Sequence, residues 1–270
     1  MDADKRIIVI ASGKGGVGKT SIAVNLAAEI ATEGRRVLLA DFDPQGTAAL
    51  LFRLARTGGV ARVLAGEPVE EHLVKVGPEH WRVRDTGGAL WLLPGNNDTA
   101  AAAITLYLMG RPLTIIASLL HPLVDGGAFD FIILDTPPSV HPLAPYVYYA
   151  AGWAVVPTDC GIEGIAGLAQ TETNILNAPG RTEIIAIVPD RIPHNTLLHD
   201  RMIASLHRDY GDLVSPPLMQ YDAWAKAAFL GQTMAVCARR TRAYSEWRFV
   251  YRNIVRALRE RGVEVEHNDD

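Results

Sequence analysis

An α/β fold, a mostly parallel sheet with helices on both faces, is what this sequence predicts, and three observations predict it. Strand-like apolar runs alternate with helical patterns almost to the end of the 270 residues, the order that builds parallel sheets. Two of those runs, Ile7 to Ile10 and FDFIILD from Phe129 to Asp135, are apolar nearly throughout, as strands covered on both faces are. A glycine-rich turn, Gly13 to Gly18, follows the first run. With 49% hydrophobic residues the chain can bury a full core, and one domain over residues 1–270 is the simplest partition.

The elements follow in order. Ile7 to Ile10 is a first strand, and a helix starts at about Gly18, carrying Ile22, Val24, Leu26 and Ile30. Arg36 to Asp43 (RVLLADFD) reads as a buried strand, Gly46 to Leu54 as a short helix, and Gly58 and Gly59 as a break. Val60 to Gly88 is the least legible stretch. Leu90 to Leu93 reads as a strand, Thr99 to Leu108 and Leu113 to Leu123 as helices, and Phe129 to Asp135 as a central strand ending in an acid. Further strands are expected at Ala154 to Pro157 and Glu183 to Val188, with a helix from Ile162 to Leu176 between them. The spacing predicts a last helix from Tyr244 to Arg261, with Trp247, Tyr251, Ile254 and Leu258 on one face as packing against the body.

The turn carries the chemistry. Gly13, four residues, Gly18, Lys19, Thr20 is the spacing of a P-loop, whose glycines let backbone N–H groups converge on a phosphate chain. The positive end of the following helix faces the same anion. The whole segment Gly13, Lys14, Gly15, Gly16, Val17, Gly18, Lys19, Thr20, Ser21 is therefore the expected nucleotide cradle, with Lys19 on the β- and γ-phosphates and Thr20 on Mg²⁺. Gly13, Gly15 and Gly18 also satisfy G-x-G-x-x-G, with acids at Asp41 and Asp43 where a dinucleotide fold wants its ribose acid. A dinucleotide turn has no use for an ammonium beside a hydroxyl after its last glycine, whereas phosphoryl transfer needs both.

Two more segments are expected at the carboxyl ends of strands, where open α/β sheets bind ligands. They are DFDPQG (Asp41 to Gly46) and DTPPS (Asp135 to Ser139). Asp135 suits a partner for Mg²⁺, which keeps waters that a carboxylate orients. Asp41 and Asp43 stand two residues apart in the same segment, and a carboxylate there would position the attacking water; which of the two does so stays open.

KGGVGKT, DFDPQG and DTPPS together resemble the ParA/MinD family of deviant Walker A P-loop ATPases, most of all the small ParA-type DNA-partition members. The resemblance runs from about Arg6 to Ile192. It implies a Mg²⁺-dependent ATPase that forms a homodimer with two ATP molecules sandwiched between subunits. It gives Lys14, surplus to an ordinary P-loop, the role of the signature lysine that reaches the partner's phosphates. It makes Asp43 the acid associated with hydrolysis, Lys14, Lys19 and Asp43 the catalytic set, and Thr20 and Asp135 the metal residues. The segment VVPTDCGIEGIAGLAQ (Val155 to Gln170) resembles the family's contribution to the dimer face. It further implies non-specific binding of double-stranded DNA by the ATP dimer and a ParB-like partner that stimulates hydrolysis.

The chain also departs from the family pattern. Six residues precede the first strand, so the helix-turn-helix domain of larger members is not expected. The segments where small members place DNA-contacting arginines, IPHNTLL from Ile192 and PPLMQYDAWAK from Pro216, hold none. The net charge is −4, yet Arg239 to Arg261 holds eight arginines (239, 240, 242, 248, 252, 256, 259, 261) against Glu246 and Glu260, a local +6. Arg239, Arg240, Arg242, Arg248, Arg252 and Arg256 are accordingly the candidate DNA-contact residues, against the alternative of a solvated helix face.

The remaining features set the compartment. There is no apolar stretch of about 18 residues and the start, MDADKR, is charged, so a cytoplasmic protein with no membrane attachment is expected, nucleoid-associated when ATP-bound. The acidic end VEVEHNDD argues against a membrane-binding helix there. Cys160 and Cys237 form no C-x-x-C pair, so neither a zinc site nor a disulfide framework is indicated, and the spacing argues against an iron–sulfur reductase. The rival readings are a positioning ATPase for a division site, flagellum or protein compartment, a nucleotide-dependent biosynthetic enzyme on the same scaffold, and the dinucleotide oxidoreductase.

Overall fold

The computed structural model describes residues 3–138, 141–194 and 197–265. Its centre is a seven-stranded sheet: β1 (Ile7–Ile10), β2 (Arg36–Asp41), β3 (Val74–Lys75), β4 (Ala89–Leu93), β5 (Phe131–Asp135), β6 (Trp153–Thr158) and β7 (Glu183–Pro189). The order is β3-β4-β2-β5-β1-β6-β7, with only the short edge strand β3 antiparallel. Helices α1 (Lys19–Thr32), α2 (Thr47–Leu51), α3 (Gly59–Leu64), α4 (Pro78–Trp81), α5 (Asp98–Leu108), α6 (Ile115–Asp125) and α7 (Ala144–Ala150) form the first half. Helices α8 (Ile162–Asn177), α9 (Leu197–Tyr210), α10 (Asp222–Leu230), α11 (Met234–Cys237) and α12 (Arg242–Glu260) complete it.

The apolar runs have their reason in two cores. Ile8, Ile10, Leu39, Phe131 and Ile133 meet α1 and α12 on one face. Ile7, Val9, Leu38, Ile132 and Leu134 meet α6 and α7 on the other. Successive strand residues point to opposite faces, so a strand buried on both must be apolar at every position.

Topology then fixes the site. Because β5 lies between β1 and β2, Asp135 pairs in register with Ile10 on one side and Asp41 on the other. The end of the Asp135 strand is thus held between the P-loop strand and the DFDPQG strand.

The structure differs from the sequence expectation at two ends. The second strand stops at Asp41 rather than Asp43, because the Asp41 carboxylate accepts the Asp43 and Ala48 backbone N–H groups, each at 3.0 Å, and curls the chain into a turn. The helix after it covers Thr47–Leu51 only. Between Val60 and Gly88 the chain places α3, α4 and the edge strand β3.

The last helix is anchored as its apolar face predicts: Trp247, Tyr251, Ile254 and Leu258 are fully buried. Its start is capped by Thr241, whose hydroxyl accepts the Tyr244 N–H at 3.3 Å. It is also tied to α1 through Glu29. That carboxylate is 2% exposed, pairs with Arg248 at 2.8 Å and accepts the Trp247 indole N–H at 3.2 Å. Burial raises the Glu29 pKa, while Arg248, Tyr244 and Trp247 oppose the rise. Glu29→Ala is expected to destabilise the fold by about 3 kcal/mol, because it strands a half-buried guanidinium and an indole N–H. Urea unfolding checks this; a loss under about 1 kcal/mol would mean the pair is dispensable.

Candidate functional site

The loop Gly13 to Gly18 joins β1 to α1, and Lys19 is the first residue of the helix. Gly18 sits at φ 81, and a Cβ there would fall 1.9 Å from the Asp190 carboxylate oxygen. Glycine is therefore favoured here by conformation, and any side chain would also have to displace the Asp190 carboxylate.

Four sequence-predicted residues converge behind the loop. Lys19 is buried with its Nζ 3.3 Å from the Lys14 carbonyl oxygen. Burial pulls its ammonium below the usual lysine range, and the nearby Asp135 and Asp43 carboxylates oppose that pull. Asp135 is fully buried, and burial pushes its carboxyl up to about 7, against the pull of the Thr20 hydroxyl beside it and of Lys19. Neither Asp135 oxygen has a hydrogen-bond partner of ordinary geometry among the described residues. Asp41 and Asp43 divide as the turn dictates. Asp41 is buried, its pKa raised by burial and by Asp135, and its two oxygens are used by backbone N–H groups. Asp43 is only half-buried and holds the Gln45 N–H at 2.9 Å. It also acts electrostatically on both Lys19 and His141. Ser139 of DTPPS lies outside the described residues.

Lys14 goes elsewhere. Its Nζ lies 2.5 Å from Asp159 and 3.3 Å from Glu163. The Asp159 hydrogen bond is the main cause of a raised Lys14 pKa, while Asp159 is held below the usual carboxylate range by Lys14 against its own burial. The loop can sit this close to α8 because Gly167 has no side chain: a Cβ there would lie 3.2 Å from the Lys14 nitrogen.

Asp159, Glu163 and Asp190 were missed by sequence reasoning. A signal existed, since Asp159 and Asp190 each directly follow a strand, β6 and β7, as Asp135 ends β5. Burial pushes Asp190 up to about 6. It borders a cleft of about 380 Å³ beside Ser21, lined also by Arg191, Met219, Tyr221 and Trp224. Cys160 is fully buried, and burial pushes its thiol up to about 12, so it is an inert core residue.

The candidate DNA arginines split into two groups. Arg248 is held by Glu29, Arg242 pairs with Glu246 at 3.0 Å, and Arg256 stands 3.9 Å from Glu260. Arg239, Arg240 and Arg252 are exposed and make no ion pair among the described residues. Among the described residues no helix is long and apolar enough to cross a membrane.

Comparison with known proteins bears on the family and the fold. A family model described as AAA domain matches residues 5–183. The chromosome-partitioning ATPase Soj of Thermus thermophilus is 35% identical over 240 residues, 86% of this chain and 88% of Soj. This chain belongs to the ParA/MinD family of P-loop ATPases. The chromosome partitioning protein ParA of Caulobacter vibrioides, a further relative, is 30% identical over 217 residues, covering 77% of this chain and 78% of ParA. A variant of Cyanothece McdA in complex with ATP shares the family fold at a TM-score of 0.79 and 19% identity, over 97% of this chain and 98% of McdA.

Proposed function

We propose that this ParA/MinD-family protein is an ATP-switched DNA-partition ATPase: ATP and Mg²⁺ drive a sandwich homodimer, the dimer holds DNA without reading its sequence, and hydrolysis releases it. The observation that carries the reading is the convergence of Lys19, Thr20, Asp135 and Asp43 on one loop, in a chain that spans most of Soj. A buried carboxylate with unpartnered oxygens beside a threonine hydroxyl is the donor set Mg²⁺ suits. Thr20 would hold the ion directly and Asp135 through water; bound there, Mg²⁺ neutralises phosphate charge.

The protein's own residues do the rest. The backbone N–H groups of Gly13 to Gly18 and the α1 N-terminus bind the phosphate chain. Lys19 balances the β- and γ-phosphate charge, and its low dielectric surroundings strengthen that interaction. Asp43 orients the attacking water; Asp41 is already spent on the turn. The cleft beside Asp190 and Tyr221 receives the base. Lys14 acts on the partner's phosphates after exchanging Asp159 and Glu163 for them, so the monomer keeps its signature lysine neutralised until a dimer forms. A ParB-like partner stimulates hydrolysis and release.

DNA retention measured with ATP, with ADP and without nucleotide tests this. Retention is expected with ATP alone, for any sequence, falling with salt at a log–log slope of about −0.9 per phosphate contacted. Joining two weak surfaces in one dimer supplies the ATP dependence. ATP binding and dimerisation without any DNA retention would favour a positioning ATPase for another cargo.

A further inference from the structure

The face of the molecule away from the P-loop carries a cleft that the nucleotide chemistry does not use. It opens between the last turns of α1, the segment 83–84 and α12, and measures about 370 Å³, within the range of small-ligand sites. Thirteen residues of α1 separate it from Lys19, about 20 Å at the helical rise. Arg84, Arg239, Arg248 and Arg252 line it, against Glu29 and Glu33. Glu29 is consumed at the floor by Arg248 and Trp247. Arg239 and Arg252 make no ion pair among the described residues. The hydroxyls of Thr32 and Ser245 also border the cleft.

We infer that this cleft is a second anion site, built for phosphate groups and separate from the P-loop. Guanidinium groups brought together on one concave wall repel one another unless an anion lies between them. A single carboxylate offers two oxygens and satisfies one guanidinium fork. A phosphate offers more acceptor oxygens and can bridge several forks at once. The site also extends: Arg252 and the 56%-exposed Phe249 border a neighbouring cleft of about 430 Å³ that adds His207 and Arg256. The cationic wall therefore runs along α12 as a track longer than one phosphate. The phosphate source is either a free anion or a DNA backbone, and only the second rests on the DNA reading above.

The experiment uses the full chain with its P-loop saturated by ADP and Mg²⁺, so that pyrophosphate must displace the nucleotide to take its place there. Sodium pyrophosphate is titrated by calorimetry at constant ionic strength, and in a second arm a short DNA duplex is titrated by anisotropy with ATP in place of ADP. Arg239→Ala/Arg252→Ala is expected to weaken binding about tenfold or more in at least one arm, with an unchanged melting temperature because both side chains are exposed. Arg62→Ala, on α3 and outside both clefts, serves as the control and is expected to bind as the parent does. Loss in the pyrophosphate arm assigns the site to a free anion; loss in the DNA arm, with or without the other, assigns it to the backbone. A double variant matching the parent in both arms, or a parent that binds neither probe, overturns the assignment. A parent that binds pyrophosphate through Arg239 and Arg252 but retains no DNA leaves the second site standing and removes the DNA reading alone.

Discussion

Lys19→Ala is expected to weaken ATP binding about a hundredfold or more while leaving the protein folded. The ammonium is buried, lies near Asp135 and Asp43, and among the described residues donates to one backbone oxygen of its own loop. Removing it leaves two carboxylates facing the incoming phosphates with no side-chain cation between them. A lost charge-assisted contact of about 3 kcal/mol corresponds to roughly that factor in affinity. The fold is indifferent, because alanine is a better helix former than lysine at the start of α1 and no ion pair of Lys19 is lost among the described residues. Calorimetric titration with ATP beside a melting curve decides it. Parent-like affinity in a folded variant would remove the P-loop assignment.

The second large effect separates assembly from turnover. Asp43→Ala is expected to dimerise with ATP yet hydrolyse it about a hundredfold more slowly or worse, since on the proposed mechanism the group that orients the water is lost. Asp43 is half-buried and outside β2, and losing its bond to the Gln45 N–H leaves both Asp41 bonds that hold the turn in place. Lys14→Ala is expected to bind nucleotide as a monomer and fail to dimerise. Its ion pairs with Asp159 and Glu163 are partly exposed, so their loss costs the monomer little. Sedimentation with ATP and a phosphate-release assay read both variants. A Lys14→Ala chain that dimerises normally would cancel its role in trans, and an Asp43→Ala chain with parental turnover would move the water-positioning role elsewhere.

How legible the site was depends on how local each requirement is. The P-loop, the strand end at Asp135 and the apolar stripe of α12 were all readable. Each is enforced by neighbours in sequence: glycines where the backbone must turn, apolar residues at every position of a doubly covered strand, aromatics at helical spacing. The division of labour between Asp41 and Asp43 was not readable, because it depends on where the strand stops. That is set by two backbone N–H groups that the Asp41 carboxylate captures.

By itself, then, the sequence determined the α/β class, the phosphate loop and the family, since those rest on short-range spacing and period. The tertiary structure alone decided which charges meet. Asp159 lies 145 residues from Lys14, and Glu29 lies 219 from Arg248. Arg248 looks the same in sequence as Arg252, one helical turn on. Yet the first is tied to a buried carboxylate and the second has no ion-pair partner among the described residues. Coulomb energies depend on distance and burial, and folding, not sequence position, sets both.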